Sequence, residues 1–246
     1  MDQRAHTQKI FGIILLAIAF VVMCWQLVLI YTNGMRHVLH GLALIFGVCV
    51  PLAAGAWLIT RSIPQGAERE RAVRRVFLAL FVFYCAVLAG ALILSRVDYA
   101  NFARSRAEYL KNIDLMTNFN PLETMRLYIN AIKYNYIGME IPLSNLVGNT
   151  MLFMPMAVFL PVLFRPMRKL WLFALTMTLL LVAIEALQYL LACGSCDVDD
   201  VILNLAGTLI VFGILKIPAL QRLLVRLHLI SPEPITEEPP ASATTE

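Results

Sequence analysis

Six apolar runs recur along these 246 residues, each close to the length that crosses a membrane. A hydrocarbon core of about 30 Å takes roughly 20 helical residues. The runs cover residues 10–31, 38–59, 73–94, 146–164, 170–191 and 201–215. Spanning segments must satisfy their backbone groups internally, so runs of this length read as helices. The charged share agrees: 15% here, against about a quarter in a soluble domain. The last run is short, and the acidic residues at 197–200 supply its first turn. The first run is too long for a signal-peptide core, and no small-residue cleavage site follows Tyr31. The expected fold is an all-α polytopic transmembrane bundle of about six spans, multi-pass in its membrane.

Basic residues set the orientation. Arg61, Arg69, Arg71, Arg74 and Arg75 crowd one short connection. The turn "FRPMRKL" adds Arg165, Arg168 and Lys169, and Lys216, Arg222 and Arg226 follow the last run. The positive-inside rule places all three groups in the cytoplasm, and with them both termini. The connection 95–144 and the stretch "CGSCDVDDVILN" then face outward. The net charge of +4 is thereby an orientation signal, and no nucleic-acid partner is expected.

The outer connection carries a helix of its own. In "NPLETMRLYINAI", Asn120 is placed to cap, Pro121 to open the helix, and Glu123 to complete a capping box. Leu122, Met125, Ile129 and Ile132 fall on one face, beside tyrosines and phenylalanines suited to a bilayer surface. A solvated loop is the competing reading. Past the last run, Leu220, Leu223, Leu224 and Leu227 make an apolar stripe at 217–230, and the acidic, proline-rich residues 231–246 read as disordered.

Polar residues inside spans are costly and invite a functional hypothesis. Asn145 and Asn149 lie four apart in the fourth run, Glu185 and Gln188 three apart in the fifth, and Asp197, Asp200 and Asn204 share a face of the sixth with Gly207. Asp199 stands among them. All fall in the outer halves of three consecutive helices, with Glu185 about 9 Å deep at 1.5 Å per residue. Capping explains part of this, since carboxylates suit a helix start, and the amides can be ordinary interhelical partners. A carboxylate at the depth of Glu185 needs a cation, a proton or a donor cluster.

Cys193 and Cys196 form a C-x-x-C without the soluble βαβ framework that redox motifs use. An outer-face loop disulfide stays open, while a zinc site wants ligands that His6, His37, His40 and His228 are too distant in sequence to give. Cys24, Cys49 and Cys85 read as small apolar residues in spans.

These residues carry a resemblance to the VanZ-like family of bacterial membrane proteins. The motifs are Asn120 and Pro121; Asn145, Gly148, Asn149, Phe153 and Pro155; Glu185 and Gln188; and Asp197, Asp199, Asp200, Asn204 and Gly207. The similarity covers about residues 73–216, leaving 1–72 as an added pair of helices with its basic connection. Family members often carry an arginine just before the acidic motif, where this chain has Gly194 and Ser195; Arg96 or Arg126 would have to replace it. The resemblance implies a bacterial cell membrane and a link to the envelope and to resistance against teicoplanin, a lipid-tailed glycopeptide. It implies no firm reaction and no cofactor.

Two mechanisms follow. In one, Asn145, Asn149, Glu185, Gln188, Asp197, Asp199, Asp200 and Asn204 form an outward pocket that binds an amphiphile without chemistry. Membrane lipids, a lipid-linked envelope precursor or a lipoglycopeptide are its expected partners. In the other, Glu185 and Asp200 act as acid and base, or the carboxylates hold a divalent cation, on a lipid-linked substrate. Binding is favoured, since no nucleophile, histidine-rich metal set or phosphate-cradling glycine loop accompanies the carboxylates. Ion or proton transport would need polar residues in the inner halves as well.

Overall fold

The computed structural model describes residues 3–33, 50–63, 66–94, 96–134, 138, 140–227 and 229–230, and these are overwhelmingly helical. Four apolar helices are long enough to cross a membrane: Ala67–Leu94, Asn145–Leu163, Leu170–Leu191 and Val198–Leu215. The expected second run begins outside the described residues, and the whole acidic tail, 231–246, lies outside them.

The chain opens with α1 (Gln3–Asn33) and α2 (Val50–Arg61), packed on each other. They meet where both lack a side chain. A Cβ on Gly12 would come within 2.8 Å of the Gly55 carbonyl, and a Cβ on Gly55 as close to that of Gly12. In lipid, small residues let helices pack by close backbone approach. Ile13, Ile14, Phe20, Val21 and Trp25 of α1 face outward; against acyl chains that exposure costs nothing.

Helix α3 (Ala67–Ala89) starts six residues before the expected run, so Arg69, Arg71, Arg74 and Arg75 are helical and not part of a loop. Glu68 and Glu70 in its first turn suit the positive end of the helix dipole and draw the start back. The helix finishes in one π turn, Gly90–Leu94. At the opposite end, beside the start of α3, Arg74 donates to the Leu163 carbonyl and Arg168 to that of Pro161, so the basic side chains satisfy helix ends.

The fourth expected span is broken. It runs as α7 (Glu140–Leu152) and α8 (Met156–Leu163), with a turn between them. Pro155 has no N–H and its ring clashes with the preceding turn, which explains the break. Met156 N–H bonds the Phe153 carbonyl, leaving the Leu152 carbonyl without its helical donor. Tyr84 Oη of α3 donates to that carbonyl at 2.6 Å. A freed backbone group in a spanning helix must find such a partner.

Between α3 and α7 the connection folds as α4 (Phe102–Lys111), a single turn α5 (Ile113–Met116), β1 (Thr117–Asn118) and α6 (Glu123–Lys133). After a 3-10 turn (Arg165–Arg168) come α9 (Leu170–Leu191), β2 (Cys196–Asp197), α10 (Val198–Leu215) and α11 (Pro218–Arg226). The two short strands pair in parallel, Thr117 opposite Cys196 and Asn118 opposite Asp197. This bridge holds the connection across the end of α9 and α10. Arg106 of α4 donates to the Leu190 carbonyl, and the rings of Tyr109 and Tyr189 meet edge to face.

The expected start of α6 needs correction. Asn120 does not cap it and Pro121 does not open it; the helix begins at Glu123, after Leu122 in a left-handed conformation (φ 67°). Asn120 Nδ2 instead donates to the Glu123 carboxylate at 2.6 Å. The docked face differs too. Thr124, Met125, Tyr128, Ala131 and Ile132 are half-buried, while Ile129 is 65% exposed. Both corrections have one cause, a carboxylate from α10 that seizes the start of α6.

The core lies among α3, α8, α9 and α10. Leu88, Phe153, Met156, Leu160, Phe173, Met177, Leu181 and Phe212 are buried together, with Phe173 stacked on Phe212 at 4.6 Å. It occupies the middle of the bundle and forms the floor of what lies above it.

Candidate functional site

At the connection end of the bundle, α7, α9 and α10 enclose a cavity of about 170 Å3. Leu92 and Arg96 close it on the α3 side, Thr124 and Tyr128 cover it from α6, and Phe153, Leu181 and Ile184 form its floor. Asn145, Asn149, Glu185, Gln188, Asp197, Asp200 and Asn204 all line it. Asp199 does not.

Helical spacing explains the division of the acidic residues. Asp200 and Asn204 project along the same face of α10, and Asp197 precedes its first turn as N-cap, accepting from Asp199 N–H at 2.9 Å. Asp199 lies about 100° further round and faces the connection. It is fully buried, and its carboxylate accepts backbone N–H groups of Leu122, Thr124 (2.9 Å) and Met125 (3.3 Å). A residue of one helix thus caps another 75 positions away. Asp197 makes the companion clamp, accepting from Thr124 Oγ1 at 2.6 Å and Asn118 Nδ2 at 3.0 Å.

The remaining polar groups are tied together within the cavity. Asn145 Nδ2 donates to Tyr128 Oη at 2.6 Å, joining α7 to α6. Asn149 Nδ2 donates to Asp200 Oδ1 and Asn204 Nδ2 to the Asp200 carbonyl at 2.7 Å. Gln188, buried on α9, donates to the Leu92 carbonyl at 3.0 Å, so the π turn of α3 is held by an amide from another span. Glu185 Oε2 accepts from Asp197 N–H at 3.2 Å. Gly207 lets α10 approach α7 this closely: a Cβ there would overlap the Thr150 carbonyl oxygen.

Of the two arginines weighed as a substitute cation, Arg96 lines the cavity, whereas Arg126 is exposed on α6. Sequence reading passed over Thr124 and Asn118, the fasteners for Asp197. Their only signal was position, Thr124 inside "NPLETM" and Asn118 two residues before it, far in sequence from Asp197. Among the described residues, no group of three or more His, Cys, Asp or Glu could hold a metal ion. The oxygens of Asp197 and Asp199 are occupied by N–H and O–H donors, which leaves Glu185 and Asp200 as the carboxylates open to the cavity.

Cys193 and Cys196 are free thiols, one buried and one half-buried. Burial pushes both thiols up from their ordinary range, and the carboxylates of Glu185 and Asp197 add to this at Cys196. Neither is therefore poised as a thiolate. Changing both to Ser is expected to leave membrane insertion intact and to cost at most about 2 kcal/mol, the scale for burying a hydroxyl without a dedicated partner. Thermal unfolding of the purified double variant measures this; complete loss of function in an otherwise well-inserted double variant would restore a redox role.

A family model described as VanZ/LLP1 matches residues 81–220, more than half of the chain. The match takes in α6 to α10, and with them Arg96 and every other residue that lines the cavity. No curated protein and no solved structure matches.

Proposed function

This chain belongs to the VanZ/LLP1 family and is a VanZ-like membrane protein, and on that premise we propose that its cavity binds the polar head group of an amphiphile from the outer leaflet of a bacterial cell membrane. The observation that carries this reading is the cavity itself: six polar side chains from three spans, with Asp197 at the cap of the last, gather in one space whose floor is apolar. Small-molecule sites have this character, a concave space with a few convergent polar groups. The positive-inside rule puts the arginine-rich end in the cytoplasm and the cavity at the outer surface. There a lipid-linked envelope precursor, or the lipid tail and sugars of a glycopeptide such as teicoplanin, comes within reach of α6 and the mouth of the bundle.

Two hydroxyls hold the cover in place: Thr124 donates to Asp197 and Tyr128 accepts from Asn145, so both fasten α6 to the bundle.

Glu185→Gln and Asp200→Asn test the proposal. Each keeps the shape of the side chain and removes a charge. The charge–dipole loss at Asp200 is about 0.3–1 kcal/mol, too little to unfold a bundle. Both variants are expected to insert as the wild type does and to lose most of any envelope phenotype it confers, such as survival on teicoplanin. Full retention by both would reduce the cluster to packing and capping.

A further inference from the structure

The four amides of the cavity all turn their N–H ends toward protein. Asn145 donates to Tyr128, Asn149 to Asp200 Oδ1, Gln188 to the Leu92 carbonyl and Asn204 to the Asp200 carbonyl. Each amide thereby spends one of its two N–H bonds on protein, and one amide oxygen is left without a donor. Asn204 is only 5% exposed, and its Oδ1 is buried with no hydrogen-bond partner among the described residues. The amide cannot be turned round to relieve it, because the Asp200 carbonyl would then face another acceptor. Glu185 uses Oε2 for Asp197 N–H, and Asp200 uses Oδ1 for Asn149; among the described residues no donor reaches their second oxygens. For Asn204 Oδ1, a buried acceptor without a donor costs about 1–3 kcal/mol, while the second oxygens of Glu185 and Asp200 stay accessible to a donor that enters.

The charge is one-sided as well. Glu185, Asp197 and Asp200 line the cavity against one guanidinium, Arg96, which is exposed at its edge. We propose that the cavity is built for a primary ammonium, carried on an amphiphile's head group beside a phosphate that Arg96 holds at the edge. This rests on the binding function proposed above and names its ligand chemistry. An ammonium has three N–H donors and no acceptor, which matches the three open oxygens of Glu185, Asp200 and Asn204. Sugar hydroxyls would supply donors but leave the negative charge uncompensated. Among the described residues, no group of three or more His, Cys, Asp or Glu is placed to hold a divalent cation. A guanidinium pairs with phosphate through parallel N–H groups.

The test uses the full-length protein in detergent, titrated with dihexanoyl phosphatidylethanolamine, phosphatidylcholine and phosphatidylglycerol and read by native mass spectrometry. Trimethylation keeps the charge and removes every N–H; the glycerol head group keeps hydroxyls and removes the charge. Phosphatidylethanolamine is expected to bind at least about tenfold more tightly than either, the factor for one hydrogen bond to a charged group. That preference should vanish in the Glu185→Gln, Asp200→Asn double variant, and Arg96→Ala should weaken all three lipids. Ser195 lines the cavity and is exposed, so Ser195→Trp blocks the space without touching the core. If all three lipids bind alike and all fall in Ser195→Trp, the ammonium site is overturned while the amphiphile site stands. If Ser195→Trp changes nothing, both are overturned. Equal binding of free phosphoethanolamine would overturn the membrane as the ligand's source.

Discussion

Asp199→Ala is expected to free α6 from the bundle. The buried carboxylate satisfies three backbone N–H groups at the start of that helix, and alanine offers none of them an acceptor. The loss should be about 3 kcal/mol, taking one hydrogen bond to a charged acceptor at about 1.5–3 and a helix cap at about 1. Asp199→Asn should fall between the two, since one oxygen can still accept from Leu122 or from the Thr124 and Met125 pair, but not from both. Hydrogen exchange over residues 119–128 reads this directly. The wild type should protect Thr124 and Met125, and Asp199→Ala should lose that protection while α9 and α10 keep theirs. Unchanged protection would mean that the Thr124–Asp197 and Asn145–Tyr128 bonds hold the cover without it.

Gly207→Ala is expected to be similarly damaging through sterics alone. The added carbon would overlap the carbonyl oxygen of Thr150, a backbone atom that cannot swing aside as a side chain can. Overpacking costs about 1–3 kcal/mol, and a rigid neighbour places this case at the upper end. Forcing α10 from α7 also breaks the Asn149–Asp200 bond, so ligand binding should fall with stability. Gly148 and Gly213 are internal controls. Neither has an atom within 4 Å of the position a Cβ would take, so alanine there should stay within about 1 kcal/mol of wild type. Thermal unfolding of the three variants in one detergent separates them; equal behaviour would remove the close approach as the reason for the glycine at 207.

The spans were legible because each carries its own evidence. A lipid-facing helix needs an apolar residue at nearly every position, and that signal is local. The gathering of Asn149, Glu185, Gln188, Asp200 and Asn204 was legible for a related reason: helical spacing gives each a face and a depth, and consecutive antiparallel helices bring equal depths together. What escaped depends on distant partners. The run "DVDD" suggests three equivalent carboxylates, but the 100° step between neighbours sends Asp200 into the cavity and Asp199 into the connection. Local chemistry favoured Asn120 as the cap of α6; a carboxylate 79 positions further on outcompetes it, because a buried charge gains more from three N–H groups than an exposed amide gains from one. The two-residue strands at Thr117–Asn118 and Cys196–Asp197 are too short to leave any pattern. Pro155 breaks the fourth span, yet the run's hydropathy reads as continuous and the expected helix passes straight through it.

An amphiphile held in the cavity at the α6 end should leave the membrane with the protein. The wild type and the Glu185→Gln, Asp200→Asn double variant can be extracted from the same native membrane under the same mild conditions, and the lipids that come with each identified by mass spectrometry. One head-group-bearing amphiphile is expected to be enriched with the wild type and absent from an equally well-inserted double variant. The same bulk phospholipid profile in both would contradict it.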